Sequence, residues 1–149
     1  MKPAIPATVA RRWMFRGVLL SIALVLSPLN SFGQVENANL QLSNASGQPV
    51  SISFASAKLT VVCFLGTECP LAKLYAPRLQ KLSTTYKPSE VQFVGVNSNC
   101  QDSPDEIAEY AKTHGLTFPV LKDYDNKAAD LFQATRTPEV IVLDAQGQI

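Results

Sequence analysis

Leu59-Thr60-Val61-Val62-Cys63-Phe64-Leu65 runs into Gly66-Thr67-Glu68 and then into Cys69-Pro70-Leu71-Ala72-Lys73-Leu74-Tyr75-Ala76-Pro77. The first seven residues form an apolar, β-branched run of the kind expected for a strand buried on both faces. Gly66-Thr67-Glu68 breaks that run. From Pro70 onward Leu71, Leu74, Tyr75, Leu79 and Leu82 recur at helical spacing through about Tyr86, and Tyr75, Leu79 and Leu82 are expected in the core. A buried strand therefore passes into a helix at Cys69.

The same order repeats downstream. Val91-Gln92-Phe93-Val94-Gly95-Val96 reads as a strand, followed by a loop and a helix from Pro104 to His114. Ser103 supplies its N-cap, Pro104 its first position, Glu106 a capping-box acid and Gly115 its end. Two strand-helix units argue for a parallel α/β core. Upstream, Leu40-Gln41-Leu42 and Val50-Ser51-Ile52-Ser53-Phe54 alternate around the turn-rich Asn44-Ala45-Ser46-Gly47-Gln48, the pattern of a short hairpin. Downstream come a brief extended piece at Phe118-Pro119-Val120-Leu121, a short helix from Lys127 to Gln133, and an apolar strand at Glu139-Val140-Ile141-Val142-Leu143. Asp144-Ala145-Gln146-Gly147 is turn chemistry, and the sequence stops at Ile149 where a partner strand is expected to begin.

Residues 1–33 read as a signal peptide. Lys2, Arg11, Arg12 and Arg16 precede an apolar run from Gly17 to Leu29, and Ser31-Phe32-Gly33 offers a small-x-small cleavage site. That run is shorter than the roughly 20 apolar residues of a spanning helix, so no stable membrane span is expected after cleavage, an uncleaved anchor being the alternative. Arg11-Arg12 followed by Trp13, Met14 and Phe15 faintly resembles a twin-arginine signal, but paired arginines also occur in ordinary n-regions, and the general export route is favoured. The expected location is periplasmic or extracellular. The remainder divides into a hairpin extension, 34–58, and a core, 59–149, that is incomplete at its C-terminal end and leaves a sheet edge exposed. A charged fraction of 17% and a net charge of +1 argue against disorder and against a nucleic-acid partner.

Export gives the three cysteines, Cys63, Cys69 and Cys100, redox meaning, because disulfides persist outside the cytoplasm. Three is odd, so at most one internal bridge forms. A thiol at a helix N-cap faces unpaired backbone N–H groups and the positive end of the helix dipole, which favour the thiolate. Lys73, one turn on, adds positive charge, and Glu68 acts in the opposite direction. Cys63, mid-strand, reads as core packing. Cys100 follows the second strand and should share a sheet edge with Cys69. It is a candidate resolving thiol, or else an incidental loop cysteine. Cys63 and Cys69 lack metal-ligand spacing, and no metal or other cofactor is expected. His114 suits a helix end.

Glu68-Cys69-Pro70-Leu71-Ala72-Lys73-Leu74-Tyr75-Ala76-Pro77 resembles the active-site segment of the thioredoxin superfamily, in which a proline follows the first active cysteine by eight residues, as Pro77 follows Cys69. Arg136-Thr137-Pro138 before an apolar strand resembles the family's cis-proline segment. Gly115 to Asp123 and Val142 to Gly147 are similar to the exported redoxin branch, related to alkyl hydroperoxide reductase and thiol-specific antioxidant proteins. The resemblance implies a thioredoxin-like α/β fold, Cys69 as the catalytic nucleophile, a cis bond before Pro138, and Pro70, Lys73, Arg136, Thr137 and Pro138 as supporting residues. It also exposes departures. Ala72 stands where thioredoxins carry their second cysteine. Gly66 and Val62 stand where peroxiredoxins carry threonine and proline, which argues against a dedicated peroxidase.

The function so implied is that of a thiol-disulfide oxidoreductase or redoxin-type antioxidant protein working through a single cysteine. Its partners would be a thiol or disulfide protein, or a peroxide, together with an external thiol reductant. The competing reading is a non-enzymatic, degenerate thioredoxin-like binding module or an incomplete fragment, motivated by Ala72 and the early stop.

Overall fold

A computed structural model describes residues 39–149; the expected signal peptide and residues 34–38 lie outside the described residues. Six strands form one sheet: β1 (Asn39–Ser43), β2 (Pro49–Ser53), β3 (Leu59–Phe64), β4 (Val91–Asn97), β5 (Val120–Lys122) and β6 (Glu139–Asp144). The strand order is β2-β1-β5-β4-β3-β6. Three α-helices accompany them among the described residues: α1 (Pro70–Tyr86), α2 (Pro104–Thr113) and α3 (Lys127–Phe132). β3 runs parallel to β4, and β4 to β5, whereas β6 lies antiparallel along β3 with Phe64 opposite Glu139. The hairpin of β1 and β2 joins the sheet where Ser43 pairs with Lys122.

Alternation along the central strands supplies two cores. Val62 and Phe64 of β3 and Val94 and Val96 of β4 face one side, where they meet Leu40, Leu42, Phe54 and Phe132. The ring of Phe132 lies edge-on to those of Phe54 and Phe64, at centroid distances of 6.5 and 6.2 Å. Val61, Cys63 and Leu65 face the other side, against α1 and α2 through Ala72, Ala76, Leu79 and Tyr110. β3 is thus covered on both faces, as its unbroken apolar run requires.

The boundaries of α1 coincide with the expected helix, but its buried face does not. Leu79 is in the core, whereas Tyr75 and Leu82, expected there, are exposed, as are Leu71 and Leu74. The buried stripe is Ala72, Ala76 and Leu79, at i, i+4 and i+7. Alanine at two of these positions lets the helix lie close on the sheet, and the larger leucines are turned outward. Among the described residues β6 forms one sheet edge, with Val140 and Val142 partly open to solvent.

The capping box of α2 is complete: Ser103 Oγ accepts from the Glu106 amide at 3.3 Å, and Ser103 N–H donates to Glu106 Oε2 at 2.7 Å. Replacing Ser103 with alanine should therefore lower the unfolding free energy by about 1 kcal/mol, measured by equilibrium denaturation.

Candidate functional site

Parallel alignment gathers the site. β3, β4 and β5 all end at the same sheet edge, and β6, running the other way, begins there. The loops after Phe64 and Asn97 therefore meet the segment before Glu139. This is the edge at which open α/β sheets place their chemistry.

Cys69 occupies the N-cap of α1 in an extended conformation, with Pro70 at the first helical position. Its Sγ donates to the Thr137 carbonyl oxygen at 3.1 Å. The Thr137-Pro138 peptide bond is cis. Partial burial opposes ionisation of Cys69, but hydrogen bonding by the Thr137 side chain and by the Ala72 and Leu71 N–H groups outweighs it. The thiol is thereby held below its ordinary pKa. Those two amides belong to the first turn of α1, where backbone donors lack intrahelical acceptors.

The other thiols differ. Cys63 is fully buried, and burial pushes its pKa up to about 12. Cys100 is exposed in the loop after β4, with Sγ 3.3 Å from Gln101 Oε1. All three thiols are free. The Lys73 ammonium pairs with Glu68 at 3.1 Å, so the two opposing charges noted in the sequence meet each other. Arg136 projects into solvent, 3.9 Å from Glu139. It and Thr137 stand between two clefts. One, of about 430 Å³, is polar and includes Ser98, Asn99, Asn126 and Asp130. The other, of about 320 Å³, includes Leu71, Tyr75, Pro138 and Val140.

Several contributors were missed from sequence. Tyr110 of α2 donates its hydroxyl to the Ala72 carbonyl at 3.0 Å, tying α2 to the first turn of α1. Burial, and secondarily the negative charge of Cys69, push the Tyr110 pKa up to about 12, so it remains a neutral donor. Gly66 is enclosed: a Cβ there would lie 2.6 Å from Asn99 Nδ2, 3.2 Å from Thr137 Oγ1 and 3.5 Å from Cys69 Cβ. Behind it lies a buried polar group formed by Asn97, Asp102 and Lys122. The available signal was the cluster Asn97-Ser98-Asn99 with Asp102, directly after a buried strand at the loop-bearing edge. Among the described residues no three or more histidine, cysteine or carboxylate side chains are grouped to hold a metal ion.

Comparison with known proteins places this geometry among relatives. The family model described as the AhpC/TSA family matches residues 34–149. Thiol-disulfide oxidoreductase ResA of Halalkalibacterium halodurans is 25% identical over 93% of this chain and 84% of that protein. Thioredoxin-like protein YneN of Bacillus subtilis is 29% identical over 74% of this chain, which spans 65% of that relative's length. The crystal structure of a secreted Mycobacterium tuberculosis disulfide oxidoreductase aligns at a TM-score of 0.61 and 22% identity, covering 73% of this chain and 78% of that one. The fold is thioredoxin-like.

Proposed function

The chain belongs to the AhpC/TSA family, and from that premise we propose that it is a thiol-disulfide oxidoreductase in which Cys69 is the nucleophile that attacks the substrate. The observation that carries this reading is the Cys69 sulfur itself, set at the start of α1, where the Thr137 side chain and the Ala72 and Leu71 N–H groups hold it below the ordinary thiol pKa.

In the proposed reaction the Cys69 thiolate attacks one sulfur of a substrate disulfide. The Cys69–substrate S–S bond forms as the substrate S–S bond breaks, and the second substrate sulfur leaves as a thiolate. With Ala72 at the position of a neighbouring resolving thiol, the mixed disulfide waits for a thiol from elsewhere. Attack by an external thiolate transfers the substrate moiety to that thiol and restores the Cys69 thiolate. Attack by Cys100 instead leaves a Cys69–Cys100 disulfide and releases the substrate as a thiol. The polar and apolar clefts on either side of Thr137 offer surfaces for the disulfide-bearing chain. A peroxide is the alternative oxidant, converting the Cys69 thiolate to a sulfenic acid with release of water or alcohol. The basic segment up to Arg16 and the apolar run to Leu29 support action outside the cytoplasm.

The test is mixed-disulfide trapping with dipyridyl disulfide followed by peptide mass mapping. An adduct at Cys69 that dithiothreitol releases, absent in Cys69→Ser, is expected. Adduct formation confined to Cys100 in both proteins would sink the proposal.

A further inference from the structure

Asp102 is a buried carboxylate, 4% exposed, that forms no ion pair among the described residues. The nearby buried ammonium of Lys122 is engaged by carbonyl oxygens instead: Asn97 Oδ1 at 3.3 Å, the Asp102 main-chain oxygen at 2.9 Å, and the Asn99 main-chain oxygen. Asn97 bridges the two charges, accepting from Lys122 and donating to Asp102. Burying a carboxylate is costly unless its oxygens are well satisfied. Here Oδ2 alone accepts from Thr67 N–H at 2.9 Å, Asn97 Nδ2 at 2.6 Å and Asn99 Nδ2 at 3.1 Å. Two of those three donors belong to the surroundings of Cys69. Thr67 lies two residues before it, and the Asn99 amide stands over Gly66 on the side where Cys69 Cβ and Thr137 Oγ1 also close in.

We propose that Asp102 is a positioning residue for Cys69: its carboxylate holds the Gly66-Thr67 turn and the Asn99 side chain so that the sulfur stays against Thr137 and the first amides of α1. The inference rests on the thiol-exchange reading and adds to it a residue that never touches the reacting sulfur. Burial raises the carboxyl's own pKa less than the Thr67, Asn97 and Asn99 hydrogen bonds lower it, so Asp102 is ionised at neutral pH. The other charged or titratable groups around the site are Lys122 on β5, Glu106 in the first turn of α2, whose carboxyl feels the Asp102 charge, the mutually paired Glu68 and Lys73, Tyr110 on α2, and Arg136 with Glu139 at the start of β6.

The sign of the effect separates positioning from charge. If Asp102 acted only through its negative charge, removing that charge would favour the Cys69 thiolate. Loss of positioning does the reverse. The experiment is the pH profile of iodoacetamide labelling at Cys69, read by mass spectrometry on the folded wild type, Asp102→Asn and Asn99→Ala, with melting temperatures recorded in parallel. Asn99→Ala, at a part-buried site, serves if Asp102→Asn does not fold. A profile displaced to higher pH is expected, with labelling at pH 6 reduced on the order of tenfold, equivalent to one pKa unit. Lower melting temperatures with an unchanged Cys69 profile, or a profile displaced to lower pH, would overturn the inference alone. A wild-type Cys69 that labels as an ordinary thiol would overturn the thiol-exchange reading and this inference together.

Discussion

At pH 7 iodoacetamide should modify Cys69 on the order of 10³-fold faster than Cys63 in the native protein. The ratio follows from ionisation: the Cys63 thiol is pushed up to about 12 from an ordinary 9.0, whereas Cys69 is held below that ordinary value. Three pKa units correspond to about a thousandfold difference in thiolate population, and the thiolate is the reactive species. Complete burial of Cys63 widens the gap further. Denaturation should abolish the difference, because in the unfolded chain both groups are ordinary thiols; persistence of the selectivity in denaturant would show that it does not come from the fold. The two cysteines also give opposite linkage to stability. Cys69, with a depressed folded pKa, contributes stability that is present above the ordinary thiol pKa and lost as pH falls through the folded value. Cys63, with a raised one, contributes stability present below about 9 and lost as pH rises towards about 12. Comparing wild-type unfolding with that of Cys69→Ser across alkaline pH reads the first contribution.

The thiol at the centre of that selectivity was legible because its determinants are local. An apolar strand, a break, a cysteine and a proline at the first helical position are all written within Leu59–Pro70, and the start of α1 followed from them. The cis bond before Pro138 came only from family resemblance, since local propensity does not select it. The face of α1 was misread for a different reason. Leu71, Tyr75 and Leu82 have the right spacing for a core, but burial depends on how closely the helix approaches the sheet, and Ala72 and Ala76 decide that. Periodicity weighs a leucine above an alanine; packing here does the opposite. The support of Cys69 was less legible still. Asn97, Asp102 and Lys122 are polar residues of types usually found at the surface. Their burial depends on β3, β4 and β5 ending side by side, a tertiary fact that brings residue 67 beside residue 102 and residue 122 beside residue 97.

Replacing Gly66 with alanine should cost about 1–3 kcal/mol of stability and blunt Cys69 reactivity at low pH, although it adds one methyl group and alters no polar atom. The added Cβ would meet Asn99 Nδ2 at 2.6 Å, well inside van der Waals contact, and Thr137 Oγ1 at 3.2 Å. A long, free side chain would swing away from such a clash. The Asn99 amide is instead bonded to Asp102 at 3.1 Å, and the Thr137 side chain helps to hold the Cys69 pKa down, so neither group yields without releasing part of the site. Gly95→Ala provides the comparison. Its Cβ would also be crowded, 3.0 Å from Val120 Cγ2, but that contact lies between β4 and β5 and involves none of the groups around the sulfur. Both variants should melt below the wild type, and only Gly66→Ala should displace the Cys69 labelling profile to higher pH. If the two displace it equally, the reactivity of Cys69 depends on general sheet integrity. If neither does, the sulfur tolerates movement of Asn99, and its activation comes from the first turn of α1 and Thr137 without the polar network behind Gly66.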